Sequence, residues 1–202
     1  YLQLQSNQFC SDVPTEVQAL SSSVTSGWAI TTGNSIGTQC SSLDVIVPTL
    51  DPATTSIAYS NKAYSGTHPT QFGLLTAVTG FNMSFNNITG SIPTELGRMN
   101  LTRTFDLQSS NLSSVLPSEL GRLLNLTQFS VRSNKLSSSI PTELGKATRM
   151  RKNFNLASNS FTSSIPTQLG GLSKVTSGFS LASNKLCSDV PTEVQALSNS
   201  VV

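Results

Sequence analysis

The spacing of apolar positions along this chain predicts a stack of similar structural units. One apolar set follows Pro117 and ends at the next proline: Leu120, Leu123, Leu126, Phe129, Val131, Leu136, Ile140 and Pro141. Equivalent prolines recur every 24 or 25 residues, at Pro69, Pro93, Pro117, Pro141, Pro166 and Pro191. A fixed period of this length is typical of a repeat architecture, in which each unit buries its apolar side chains against its neighbours.

Each repeat is expected to contain a short strand and a short helix. Phe129 and Val131 flank a polar residue, as do Phe154 and Leu156 one repeat later. A period of two places both apolar side chains on one face of a strand, so successive repeats predict a parallel sheet along one side of a rod. Proline suits the first turn of a helix, and a short helical segment is therefore expected after each repeated proline.

Asparagine occupies one position in most repeats, directly after the strand. This asparagine ladder consists of Asn7, Asn86, Asn134, Asn159 and Asn184. A carboxamide donates and accepts hydrogen bonds at the same time, so it can satisfy backbone groups where the chain turns inside the stack. Two repeats differ, with Lys62 and Ser110 at this position. Serine can replace part of the bonding, whereas lysine has no acceptor and indicates an atypical edge coil.

These residues resemble the plant type of the leucine-rich repeat family, as found in secreted proteins of plants, algae and protists. The family pattern Leu-x-x-Leu-x-Leu-x-x-Asn-x-Leu-x-Gly-x-Ile-Pro is matched by residues 126–141, with Ser138 at the glycine position. The resemblance covers residues 57–202 and, separately, 1–24. It implies an α/β solenoid of right-handed coils, with a parallel sheet on the concave face and short helices or turns on the convex face. It implies no particular ligand.

A longer repetition suggests how the chain is divided. Residues 10–21 recur without change as residues 187–198. We therefore interpret 1–40 as the last coil and C-terminal cap of a preceding array, 41–56 as a linker or edge segment, and 57–202 as a second array that ends where its own cap begins. A Cys10–Cys40 disulfide would close the first cap, with two free thiols as the alternative. The chain also begins in the middle of a repeat, so we expect a piece of a longer precursor.

Composition narrows the classes of function. Charged residues make up 11% of the chain and the net charge is +2, which does not indicate a nucleic-acid partner or an acidic membrane surface. No apolar run reaches membrane-spanning length. The one histidine lacks metal-site spacing to the cysteines, and no catalytic grouping is recognisable, so neither a cofactor nor enzymatic activity is expected. The local basic cluster of Arg149, Arg151 and Lys152 is interpreted as solvated loop.

Five Asn-x-Ser/Thr sequons suggest a secreted or cell-surface glycoprotein with N-linked glycans. They are Asn82, Asn87, Asn100, Asn111 and Asn125. Asn87 and Asn111 hold the same repeat position, where an exposed loop is expected. Asn82 is expected on the concave strand face, where a glycan would obstruct ligand binding.

Three hypotheses for the function follow. The first is an extracellular structural or adhesive protein, in which copies or adjacent arrays join head to tail into a fibre, although a duplication without an assembly role explains the repetition equally well. The second is a recognition module that binds a protein, peptide or glycan on the concave face. The residues expected there are Phe85, Asp106, Gln108, Arg132 and Asn155. The third is a protein that binds ice or carbohydrate through stacked hydroxyl rows such as residues 137–139.

Overall fold

The chain winds as a solenoid in which each coil contributes one strand to each of two parallel sheets. The computed structural model describes residues 51, 53–187 and 189–198. The α/β solenoid that the family resemblance implied is therefore confirmed over the described residues. The proposed first cap with Cys10 and Cys40, the ladder residue Asn7 and most of the 41–56 segment lie outside the described residues.

The first sheet, called the front sheet below, follows the alternation predicted from sequence. Its strands are β1 (Ser56–Ala58), β3 (Gly80–Asn82), β5 (Thr104–Asp106), β7 (Gln128–Ser130) and β9 (Phe154–Asn155), hydrogen-bonded in that order. The register places equivalent residues of successive coils side by side, so that Phe81 lies opposite Phe105 and Phe105 opposite Phe129. A one-residue slip would turn these rings to solvent, and the apolar pattern therefore fixes the register.

The second sheet, called the side sheet below, was not predicted from sequence. Its strands are β2 (Ser65–Thr67), β4 (Asn87–Gly90), β6 (Asn111–Val115), β8 (Lys135–Ser138) and β10 (Ser160–Phe161). Strands β4, β6, β8 and β10 each bury one apolar side chain, as Ile88 does between exposed Asn87 and Thr89, whereas β2 buries none. Strands this short, with at most one buried side chain each, give too little alternation for a sequence pattern to separate them from a polar loop.

Short helices form the third side. They are 3-10 helices at Thr70–Leu74, Thr94–Arg98, Ser118–Arg122, Thr142–Lys146 and Thr167–Gly171, followed by an α-helix at Thr192–Ser198. A proline precedes each one, with φ between −66° and −62° at the 3-10 N-caps. Glycine lets the helices of adjacent coils approach closely, because a Cβ on Gly97 would lie 2.4 Å from the Glu119 carbonyl oxygen. None of the described helices is long and apolar enough to cross a membrane.

A stack of phenyl rings runs through the core beneath the front sheet. The ring centroids of Phe81 and Phe105 are 5.3 Å apart, those of Phe105 and Phe129 are 5.4 Å apart, and the stack continues through Phe154 to Phe179. Because each coil touches only its neighbours, stability comes from the interface that each added coil buries.

The ladder asparagines join each coil to the one before it. The Asn134 carboxamide oxygen accepts from the Leu112 N–H at 3.0 Å, and its Nδ2 donates to the Leu107 and Val131 carbonyls at 2.9 and 3.0 Å. Asn86, Asn159 and Asn184 make equivalent bonds. At the same position Ser110 has a buried hydroxyl without a hydrogen-bond partner.

Candidate ligand-binding face

The outer surface of the front sheet presents three columns of side chains, one residue per coil in each. The first column is Asn82, Asp106, Ser130, Asn155 and Ser180, held in register by the strand pairing. The second is Ser84, Gln108, Arg132, Ala157 and Ala182, and the third is Asn61, Phe85, Ser109, Ser133, Ser158 and Ser183. Adjacent members of a column are separated by the strand spacing, about 4.8 Å. A ligand lying along the sheet would therefore meet each coil in turn.

The third column adopts a left-handed backbone conformation, and Phe85 is its one aromatic residue. Its φ is 55°, against 53° to 56° for the residues at this position in the other described coils. Asparagine and serine tolerate this region better than a bulky side chain does, so phenylalanine is unfavourable here. The Phe85 ring is nevertheless 51% exposed. An exposed aromatic side chain held in an unfavourable conformation is a candidate functional residue.

Asp106 and Gln108 form a linked pair in the centre of the face. The Asp106 carboxylate accepts the Gln108 backbone N–H at 3.0 Å and the Gln108 Nε2 at 3.2 Å. Burial raises the pKa of the Asp106 carboxyl above its usual value, and the two hydrogen bonds from Gln108 oppose that rise. The pair presents to a ligand an amide in a fixed orientation and a partly desolvated carboxylate. Because desolvation of the carboxylate is costly, a ligand with a hydrogen-bond donor for it is favoured.

Asn82 and Asn155 use the same turn as Asp106. Asn82 Oδ1 accepts the Ser84 N–H at 3.0 Å, and Asn155 Oδ1 accepts the Ala157 N–H at 3.0 Å. The side chains of this column are thereby held against the sheet, and their remaining polar atoms are available to a ligand.

The surface available to a ligand is narrower than the alternation suggests. Ser84 and Ser130 are 1% exposed, so the outward-facing positions of two coils contribute little polar area. Arg132 is exposed, whereas Asp106, Gln108 and Asn155 are half-buried. Of the five residues predicted for the concave face, Phe85 and Arg132 are therefore the exposed ones.

The sequence was also compared with known families. The family model described as Leucine Rich Repeat matches residues 78–99 and 125–147. Each segment contains one front strand, one side strand and one 3-10 helix of the structure. The chain therefore contains leucine-rich repeats of the plant type. No curated protein matches the chain in sequence.

Solved structures similar to this leucine-rich repeat chain include plant receptor ectodomains. The ectodomain of the Arabidopsis thaliana membrane receptor kinase GASSHO1/SCHENGEN3, in complex with CASPARIAN STRIP INTEGRITY FACTOR 2, is 28% identical with a TM-score of 0.74, covering 96% of this chain and 22% of that chain. The Arabidopsis receptor kinase HAESA, in complex with the peptide hormone IDA and the co-receptor SERK1, is 28% identical with a TM-score of 0.66. The match covers 75% of this chain and 25% of that chain.

A third similar structure is the BIR3–SERK2 complex from Arabidopsis thaliana, 27% identical with a TM-score of 0.57, covering 67% of this chain and 70% of that chain. The chain spans a quarter or less of the length of the two receptor kinase ectodomains above.

The five sequons of this leucine-rich repeat chain differ in how free their amide nitrogens are. Asn87 and Asn100 are exposed. Asn111 Nδ2 donates to Asn87 Oδ1 at 2.7 Å, and Asn125 Nδ2 donates to the Asn100 carbonyl at 2.8 Å. Asn82 lies half-buried in the first column. Because a glycan is attached through Nδ2, Asn87 and Asn100 have the geometry best suited to modification.

Proposed function

We propose that this chain is part of an extracellular recognition protein that binds a peptide or an extended protein segment along the outer surface of its front sheet. The fold is one typically used for binding rather than for catalysis. The solved structures include GASSHO1/SCHENGEN3 in complex with CASPARIAN STRIP INTEGRITY FACTOR 2, HAESA in complex with the peptide hormone IDA and a co-receptor, and BIR3 in complex with SERK2. These similarities support a protein ligand and a location outside the cell or at its surface.

Phe85 is the observation that carries the proposal. An exposed ring in a left-handed conformation lowers stability without filling the core, so a stabilising role does not explain it. Aromatic side chains and arginine are enriched among the residues that dominate protein interfaces. Phe85 and Arg132 lie two coils apart, about 10 Å along the solenoid axis. Between them Gln108, orientated by Asp106, offers a hydrogen-bonding amide to a ligand backbone.

The test uses linear peptides selected from a random library on the immobilised chain, after which the affinities of individual peptides are measured. We expect Phe85→Asn to weaken binding by roughly thirtyfold or more, because truncation of a buried interface anchor costs about 2 kcal/mol or more. Phe85→Tyr retains the ring and should retain binding. Leu74→Asn removes a side chain that is 64% exposed on the helical side and serves as the matched control. Peptides that bind wild type and Phe85→Asn equally would contradict the proposal.

Glycosylation would complete this description if the protein is secreted. We propose N-linked glycans at Asn87 and Asn100, whose amide nitrogens are exposed, and none at Asn82, where a glycan would cover the first column. Mass spectrometry of protein from a glycosylating host tests the assignment. A fully occupied Asn82 would be incompatible with ligand binding on the front sheet.

Fibre formation and ice binding remain predictions that no observation on the described residues favours. In the hydroxyl rows of the side sheet, Thr89 Oγ donates to the Gly66 carbonyl at 3.1 Å and Ser137 Oγ to the Ser114 carbonyl at 3.5 Å. These donors satisfy the backbone of the preceding coil, which is the ordinary role of such side chains in turns.

A further inference from the structure

Four exposed cations surround a surface depression of about 390 Å³ on the side of the solenoid where the front strands begin. They are Arg103, Arg149, Arg151 and Lys174, and the other lining residues are Asn125 and Thr127. These six residues are called the cationic row below. Two of its arginines belong to the basic cluster interpreted from sequence as solvated loop. The coils bring Arg103 and Lys174 to the same place, and no carboxylate lines the depression.

Backbone hydrogen bonds between coils fix the spacing of the row. The Thr127 N–H donates to the Arg103 carbonyl at 2.8 Å, and the Arg151 N–H donates to the Thr127 carbonyl at 3.0 Å. Successive positions are therefore about 4.8 Å apart, which places Arg103 and Arg151 about 10 Å apart with threonine between them. Two residues earlier in each coil, Asn125 and Arg149 form a second line beside the first.

The polar side chains of the row are orientated by contacts within it. The Arg149 Nη1 donates to Asn125 Oδ1. The Thr127 hydroxyl donates to the Arg103 carbonyl at 3.1 Å, so its oxygen still has a lone pair for a ligand donor. A guanidinium group has five N–H donors, and Arg149 therefore keeps most of them for an anion.

We propose that the cationic row binds a linear acidic polysaccharide whose charges are uronic-acid carboxylates. Arginine forks pair with carboxylates through two parallel hydrogen bonds. The intervening threonine and asparagine are suited to the hydroxyl groups of the sugar chain. This surface is separate from the three columns of the front sheet, and the assignment does not depend on the function proposed for them.

The composition of the row favours this partner over other polyanions. No aromatic side chain lines the depression, so it lacks the stacking surface with which proteins hold single-stranded nucleic acid. Arg103 and Arg151 alternate with neutral Thr127, which gives this line one charge for every two coils. With Arg149 and Lys174 in the second line, the row as a whole holds four cations. A polymer bearing several sulfates on each sugar would still leave anions unpaired along it, whereas a uronic-acid chain carries one carboxylate on each sugar, with hydroxyls between them.

The sequon at Asn125 provides an internal check. Its carboxamide is engaged on both sides, by the Asn100 carbonyl and by Arg149. A glycan attached there would cover the depression, so the assignment requires Asn125 to be unmodified in protein made by a glycosylating host.

The test compares the full chain with two double variants of equal charge change. Arg103→Ser/Arg151→Ser removes two members of the row, and Arg98→Ser/Arg122→Ser removes two exposed arginines from the helical side. Binding to an oligogalacturonate is measured by calorimetry between 50 and 200 mM salt. We expect the first variant to lose roughly tenfold or more in affinity and to show a shallower salt dependence, while the second changes less than about twofold. The variant Arg103→Lys/Arg151→Lys should be intermediate, because it keeps charge but loses the forks.

Several outcomes would overturn the assignment. They are equal losses in the two serine variants, no binding of oligogalacturonate by the wild-type chain, tighter binding of dextran sulfate or a single-stranded oligonucleotide than of oligogalacturonate, and an occupied glycan at Asn125. Because the substituted side chains are exposed, thermal unfolding of the variants should match wild type. If a serine variant unfolds early, the lysine variant provides the comparison.

Discussion

Two neighbouring coils, residues 80–103 and 104–127, share one backbone but keep different parts of the repeat. The first coil has Asn86, whose carboxamide bonds backbone groups of two coils, and Gly90 at a φ of 77°. The second has Ser110, with a hydroxyl that bonds nothing, and Ser114 at a φ of 72°. The second coil keeps its conformation because the coils on both sides impose the register.

The same two coils differ on the front sheet in the opposite sense. Phe85 and Ser109 have nearly equal φ angles, 55° and 53°, and serine is the better suited of the two. The first coil therefore has the more complete buried hydrogen bonds, whereas its exposed residue on the front sheet has the less favourable backbone conformation. Ser110 departs from the repeat pattern by losing hydrogen bonds, and the neighbouring coils compensate for that loss. Phe85 departs from it by adding strain at an exposed position, which indicates a role in binding.

The largest effect should come from making the first coil resemble the second. Asn86→Ser removes the acceptor of the Tyr64 N–H and the donor to the Tyr59 carbonyl, and a buried group left unsatisfied costs about 1–3 kcal/mol. We expect the free energy of unfolding to fall by about 3 kcal/mol in urea titration. Asn100→Ser, at an exposed position, should change it by less than about 0.5 kcal/mol. Equal effects of the two variants would show that the ladder does not hold the coils together.

The preceding coil extends the comparison, since His68 occupies the position that Ile92 has in the first coil. His68 is 4% exposed, and neither ring nitrogen has a partner. Burial lowers the pKa of His68 from 6.5 to about 4, so the folded state favours the neutral ring. Above pH 6.5 the ring is neutral in both states, and His68 takes nothing from the free energy of unfolding. As the pH falls from 6.5 toward 4 the unfolded state binds a proton that the folded state does not, so the free energy of unfolding decreases. Below pH 4 the decrease is about 3 kcal/mol. His68→Ile should remove this part of the pH dependence. Parallel stability curves for the two proteins would contradict the assignment.

A smaller effect is expected from restoring the asparagine ladder. Ser110→Asn places a carboxamide at the ladder position. In the next coil the equivalent residue, Asn134, accepts a hydrogen bond from the Leu112 N–H. We expect the free energy of unfolding to rise by about 1 kcal/mol, because hydrogen bonds of this kind contribute about that much. Ser109→Asn, at the adjacent surface position, is the control and should have little effect on buried bonding. A destabilised Ser110→Asn variant would mean that the second coil has repacked around serine.

The smallest effect concerns the left-handed residue within β6. Ser114→Gly relieves the left-handed conformation at a φ of 72°, at the cost of a more flexible unfolded chain. A stabilisation of about 0.5 kcal/mol is expected. The reverse change, Gly90→Ser, should destabilise more, because a Cβ at Gly90 would lie 3.0 Å from the Thr67 methyl carbon.

The sequence predicted those parts of the molecule that repeat. The front strands, the short helices and the core position of Phe129 follow from periodicity, since each is specified again in every coil. The side sheet was missed because β4 carries a single buried side chain, Ile88. The burial of Ser84 and Ser130 was also missed, because period-two alternation gives the side of the sheet but not the depth at which a small side chain lies.

Residues brought together from different coils were missed for another reason. Arg103 and Lys174 are isolated cations in the sequence, and only the coil register places them beside Arg149 and Arg151. Aligning the repeats in columns before judging local charge would have joined Arg103 with Arg151, because both hold the same repeat position. In a solenoid, surface sites are therefore better predicted from residues at the same repeat position in successive coils than from residues adjacent in the sequence.

The most direct test of the account measures stability and binding together on Phe85→Asn. If the ring is kept for recognition, the free energy of unfolding should stay the same or rise by up to about 1 kcal/mol, because relief of the left-handed strain offsets the lost packing of a half-exposed ring. The affinity for a peptide selected on the wild-type chain should fall by roughly thirtyfold or more. A variant that loses about 2 kcal/mol of stability and binds the peptide as tightly as wild type would contradict the account and make Phe85 a structural residue.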